Sequence, residues 1–170
     1  MLAAVYQGDA KKVVELIRQS PGFDVNKGLD EWRNTLLHHA CNGDHRSAII
    51  PLLLAHPGID ANVKSVFVGT PFSYACANGL PSCVREMLKD SRVKVNEPDR
   101  DGYTPLFWAA RDGYLDVIKW WIASGREMDL GEPGDIEKTD AIGVAKKNGR
   151  TEVGAFWRDS RVMLPKPDML

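Results

Sequence analysis

The sequence lacks a surplus of charge of either sign: 22 Lys and Arg face 23 Asp and Glu, a formal net charge of −1 over 170 residues. A domain that holds a polyanion normally shows a basic excess, so the composition argues against nucleic acid as the partner. It also lacks any apolar run of about 18 residues, which argues against a membrane span. The opening residues, Met1-Leu-Ala-Ala-Val-Tyr-Gln-Gly8, have no basic start and no long apolar stretch, so they do not read as a secretory signal. Cysteine is scarce: Cys41, Cys76 and Cys83 are odd in number and unpaired in spacing, which excludes a disulfide framework. Reduced thiols in a cytoplasmic or nuclear compartment are the simpler expectation. The glycines are scattered, with no phosphate-cradling run. No motif sets a Ser or Cys beside a particular His and acid, as nucleophilic catalysis requires. These absences predict no enzyme activity and no cofactor.

What the chain does have is periodicity. Its length suits one domain with a continuous core, and 44% apolar with 26% charged residues is a globular balance. One segment recurs as Ser20–Asn26, His56–Asn62 and Asp90–Asn96, with its closing asparagines 36 and 34 residues apart. A second recurs as Thr35-Leu-Leu-His-His-Ala-Cys41, Thr70-Pro-Phe-Ser-Tyr-Ala-Cys76 and Thr104-Pro-Leu-Phe-Trp-Ala-Ala110. Apolar pairs follow: Ala48/Ile49 with Leu52/Leu53, Cys83/Val84 with Met87/Leu88, and Val117/Ile118 with Trp121/Ile122. Three independent features share one period, the mark of a repeat architecture.

Each unit reads as two short helices. Thr70 and Thr104 suit helix N-caps, and Pro71 and Pro105 suit the first helical position, where a missing N–H costs nothing. The small pair that follows lets neighbouring helices approach closely. Gly79 and Gly113 end the first helix. The second helix carries one apolar stripe. Such a unit cannot bury its apolar face alone, so stacking against a like unit is obligatory.

These residues resemble the ankyrin repeat, and Thr104–Gly125 is the fullest copy. The resemblance covers about residues 1 to 157. It implies an all-α solenoid of helix–turn–helix units with β-hairpin-like loops and a concave binding face built from loop tips and first helices. The expected organisation is a partial repeat 1–28, full repeats 29–64, 65–98 and 99–131, and a partial repeat 132–157. The first partial repeat opens in a helix from Leu2 to Gln7. In the last, Asp140 stands where threonine would be and can still cap, and Val153 and Trp157 supply the stripe. A tail, 158–170, fits no repeat and is expected to be extended or disordered.

Several departures carry expectations of their own. Leu36 replaces the usual proline and Asp44 the usual glycine. Pro51 falls inside a helix, where it predicts a kink or break. The family's histidine is kept at His38 but replaced by Ser73 and Phe107, so its hydrogen bonds to the next loop should be missing there. His38, His39, Cys41 and His45 resemble a metal-ligand set, since zinc takes four N or S donors. The resemblance, however, accounts for His38 and His45, and Cys41 sits at a small core position, so no metal is expected. Cys41 and Cys76 should be buried free thiols, because stacked helices hold them too far apart to bond.

Function follows from the resemblance: a protein-interaction module or scaffold, monomeric, that binds a protein or peptide. A second reading is a regulatory or targeting fragment of a larger protein. Trp32, Phe67 and Tyr103 all fall in loops before a first helix, where they either point toward a partner or fold back onto a neighbouring loop; interface hot spots are rich in aromatics. Asn42, Asn78, Arg111 and Asp112 should share that face. His39, Tyr74 and Trp108 form a further ladder, expected to be core. Trp121 matches the buried stripe. Trp120 lies off it and is expected to pack toward the last repeat, where Phe156 and Trp157 repeat the doublet.

Overall fold

In a computed structural model, residues 1–67, 69–131 and 139–159 are described, and among them every regular element is helical. First helices are α1 (Leu2–Gln7), α3 (Leu36–Ala40), α5 (Pro71–Ala77), α7 (Pro105–Asp112) and α9 (Ala141–Lys147). Second helices are α2 (Ala10–Arg18), α4 (Ile50–Leu54), α6 (Pro81–Leu88), α8 (Leu115–Ala123) and α10 (Thr151–Asp159). The first helices stack in chain order, α1 on α3, α3 on α5, α5 on α7 and α7 on α9. The second helices form another layer, with α6 packed between α4 and α8. The segments from Thr35, Thr70 and Thr104 therefore lie side by side in register, as a repeating stripe requires.

The small pairs permit this spacing: Ala40/Cys41, Ala75/Cys76 and Ala109/Ala110 are all fully buried. Caps form where expected. Thr70 Oγ1 accepts from Ser73 N at 3.2 Å, Thr104 Oγ1 from Phe107 N at 3.3 Å, and Asp140 Oδ1 from Gly143 N at 2.7 Å. Gly113 turns the chain out of α7 at φ 84°, a left-handed conformation that favours glycine.

The first full unit is the irregular one. Asp44–Ile49 winds as a 3₁₀ helix before α4, and Pro51 sits in the first turn of α4, so the helix breaks as its proline demands. The buried stripe also shifts by one residue from expectation. Ile49, Ile50, Leu53 and Leu54 are buried, whereas Ala48 is exposed and Leu52 half-buried. Three residues per 3₁₀ turn, against 3.6 in an α-helix, rotate the apolar face.

Two polar ladders fasten adjacent loops. Each closing asparagine reaches the next unit: Asn26 Nδ2 donates to Gly58 O (2.8 Å) while Oδ1 accepts from Asp60 N (2.8 Å). Asn62 does the same with Arg92 O (2.9 Å) and Lys94 N (2.7 Å), and Asn96 with Glu127 O (3.2 Å) and Asp129 N (3.0 Å). Beside them, Arg92 donates to Leu54 O at the end of α4 (2.5 Å), and Arg126 donates to Leu88 O at the end of α6 (3.4 Å) and to Asp90 O and Val93 O in the loop that follows (3.1 and 2.6 Å). Carbonyls at helix ends lack intrahelical partners, and an unmet buried acceptor costs about 1–3 kcal/mol. The guanidinium groups remove that cost between units.

Candidate partner-binding face

The loop that carries Trp32 is shaped by one carboxylate. Asp30 Oδ1 accepts from Trp32 N (3.1 Å) and Asn34 N (2.8 Å), and Oδ2 accepts from Asn34 Nδ2 (2.8 Å). Burial works to raise the Asp30 pKa, but the Asn34 donors, with His39 and Trp32 N, overcome it and hold the pKa below its ordinary value. Arg33 is held at φ 61°, unusual for a residue with a side chain. The loop turns back at Trp32, whose ring is 45% exposed. The next loop closes with Ser65 N donating to Gly69 O (2.8 Å), and Phe67 at its tip is 65% exposed. The loops are joined edge to edge: Val66 N donates to Trp32 O (2.8 Å) and Arg100 Nη1 to Val66 O (3.3 Å).

Tyr103 departs from this pattern and does not offer a surface. It is 4% exposed, stacked on Phe107 at 4.3 Å and edge-on to Trp108 at 5.5 Å. The reason lies in register. Trp32 and Phe67 stand three residues before Thr35 and Thr70, at the tip, but Tyr103 stands one residue before Thr104, where the chain has already turned inward. The tip position of that loop holds Asp101, which is exposed. Counting back from each threonine separates the two cases without a structure.

Below the tips, Asn42 and Asn78 are exposed at the ends of α3 and α5, and Asn78 Nδ2 donates to Tyr74 O (2.8 Å). Arg111 and Asp112 form a two-pronged pair, both bonds 3.0 Å, and the Arg111 guanidinium lies 4.3 Å over the Trp108 ring. The ladder expected in the core splits. His39 is buried, but Tyr74 and Trp108 are half-buried and contribute surface. Trp108 Nε1 donates to Asp99 Oδ2 (2.8 Å), which ties α7 to its loop, and His39 Nε2 lies 3.5 Å from Asp30 Oδ2. Tyr6 was not anticipated. It is 43% exposed, with Arg46 4.8 Å over its ring and its hydroxyl 3.1 Å from His39 Nδ1. Tyr6 precedes Gly8 by two residues as Arg111 precedes Gly113, so the repeat register carried the signal.

The histidine and cysteine cluster is occupied by structural tasks. His38 Nδ1 accepts from Thr35 N (3.1 Å) and Nε2 donates to Gly69 O (3.1 Å). His45 Nε2 lies 3.2 Å from Tyr6 O. Cys41, Cys76 and Cys83 are buried free thiols; burial raises the pKa of all three, that of Cys83 to about 12. Such thiols are poor nucleophiles. Among the described residues no group of three or more His, Cys, Asp and Glu side chains could hold a metal, and no helix is long and apolar enough to cross a membrane. Trp120 does not pack toward the last repeat as expected; it lies under Arg85 of the preceding unit at 5.4 Å.

Comparison with known proteins agrees with this architecture. Residues 47–132, half of the chain, match the family model for ankyrin repeats in three copies. The chain is 34% identical over 112 residues to alpha-latrotoxin-Lg1a of Latrodectus geometricus, a stretch that covers 65% of this chain and 8% of that protein. It is 37% identical over 91 residues to the human SMC5-SMC6 complex localization factor protein 1, covering 54% of this chain and 8% of that protein. Alpha-latrocrustotoxin-Lt1a of Latrodectus tredecimguttatus is 28% identical over 136 residues, 79% of this chain and 9% of its own length. The chain thus matches less than a tenth of each of these relatives, and what is shared is the repeat. Stacked helix pairs, capping threonines in register and asparagine-stapled loops, together with these matches, place the chain in the ankyrin-repeat family.

Proposed function

We propose that the chain is a non-catalytic protein-interaction module whose partner lies across the loop tips and first helices. Ankyrin repeats are generally protein-interaction modules, and the human relative's name places it at a protein complex. One observation carries the reading to particular residues: Trp32 and Phe67, one repeat apart, stand exposed on loops whose backbones bond directly to each other. Large aromatic rings held out by a stapled scaffold lose little entropy on binding and form typical hot spots. Asn42, Asn78, Arg111 and Asp112 supply the polar surround, with Tyr6, Tyr74 and Trp108 between them. Tyr103 supports Phe107 and Trp108 from beneath. The organisation into repeats 1–28, 29–64, 65–98, 99–131 and 132–157 belongs to the same proposal; α10 runs two residues past its boundary, to Asp159.

The test is affinity capture followed by mass spectrometry, wild type against Trp32→Ala/Phe67→Ala. The double variant should lose its specific partner by at least tenfold in affinity while its unfolding midpoint stays unchanged. Equal capture by both proteins would remove these two rings from the site.

A further inference from the structure

The second-helix layer also carries an exposed aromatic ring. Trp121 on α8 is fully buried, edge-on to Phe72 at 5.0 Å, but its neighbour Trp120 is 42% exposed. Trp120 borders a cavity of about 320 Å³ between α6 and α8, lined also by Arg85, Leu88, Lys89, Ala123 and Ser124. That volume lies at the lower end of ligand pockets, which span roughly 300–1,000 Å³. The lining holds two cations and no acid. Glu86 is near, paired with Arg85 (3.3 Å) and Lys89 (2.7 Å), but its side chain is only 14% exposed against 46% and 62% for theirs. The anion is sunk and the cations face water. On α8, Asp116 pairs with Lys119 (3.4 Å) and does not line the cavity. Ser124 Oγ donates to Trp121 O (2.5 Å), so its proton is already engaged. The guanidinium of Arg85 lies 5.4 Å over the indole, a cation–π contact that steadies both groups.

We propose that this cavity docks an acidic peptide segment of a partner protein. A bulky apolar side chain of the segment packs on Trp120 and Leu88, and flanking carboxylates accept charge-assisted hydrogen bonds from Arg85 and Lys89. The ring supplies apolar area at the centre and the cations supply sign selectivity at the rim, the arrangement that separates affinity from specificity in protein interfaces. This site lies on the second-helix layer and does not depend on the loop-tip face, so the two can be filled at once.

A random dodecapeptide phage library selected on the full chain tests the proposal. The enriched peptides should pair a bulky apolar residue with flanking Asp or Glu. Their affinity should fall at least tenfold on Trp120→Ala and on Arg85→Glu/Lys89→Glu, and stay within twofold on Trp32→Ala/Phe67→Ala. Thermal unfolding checks that each surface variant is folded. Failure to enrich any peptide that depends on Trp120, or enrichment of neutral or basic ones, would overturn the proposal. So would sedimentation that shows a wild-type dimer returned to monomer by Trp120→Ala, since a second copy would then be the occupant.

Discussion

Three residues after its capping threonine, one repeat carries His38 and another carries Phe107. The first side chain works through hydrogen bonds. It receives Thr35 N–H and gives its own N–H to the Gly69 carbonyl of the next loop. The second works through area: Phe107 is buried, stacked on Tyr103, and the next loop is reached instead by Thr104 Oγ1, which donates to Asp129 O at 3.3 Å. Between them Ser73 turns its hydroxyl to its own cap, Thr70, at 3.1 Å. The same contrast holds at the next turn. Gly113 ends α7 in a left-handed conformation, whereas at the matching place Asp44 receives Ser82 N (2.9 Å) and Ser82 Oγ (2.7 Å) and caps α6 across the repeat boundary. The N-terminal flank of that helix is Leu80 followed by Pro81, so α6 has no capping side chain of its own. The two departures run in opposite directions: Phe107 replaces the family histidine's polar tie with packing, and Asp44 replaces a glycine's backbone turn with a polar tie to the next repeat.

The largest expected effect lies on the apolar side of this contrast. Phe107→Ala should cost about 3–5 kcal/mol in urea unfolding, the usual range for a truncated core aromatic. A loss below about 1 kcal/mol would show that the Thr104 repeat does not depend on that ring. Next comes acid. Burial, above all, lowers the His38 pKa from 6.5 to about 4; an imidazolium would also turn an N–H toward Thr35 N–H. The unfolded state therefore binds the proton more readily. The stabilising contribution is present above pH 6.5 and is lost as pH falls toward 4, a total of about 3 kcal/mol. His39, also lowered mainly by burial, has the same sign. His38→Gln should flatten at least half of the slope of stability between pH 7 and 4.5, and an unchanged slope would place the acid sensitivity elsewhere. Smallest is the cap. Asp44→Ala should cost about 1–2 kcal/mol, as helix caps do, and Asp44→Asn much less. Equal losses in both variants would mean that Asp44 acts by charge and not by geometry.

Much of the architecture was legible in the chain because a repeat states its core several times. The threonine caps, the small pairs and the break at Pro51 follow from local chemistry. The stripe of α4 was misplaced by one residue because a 3₁₀ turn leaves no clear mark in hydrophobic spacing. Tyr103 and Trp120 were misjudged because aromatic type was read without register or without the neighbouring helix. Trp120 meets Arg85 only through stacking of α6 on α8, a contact between residues 35 apart in sequence.

The sequence by itself determined that helical pairs form, where their threonine caps fall, and that they must lie against one another, since each exposes an apolar stripe that only a like neighbour covers. The tertiary structure alone decided which polar groups join one repeat to the next. Asn26, Asp44, Arg92 and Arg126 find partners more than 30 residues away. A hydrogen bond depends on distance and direction to within fractions of an ångström, and those are set only once the stack has closed.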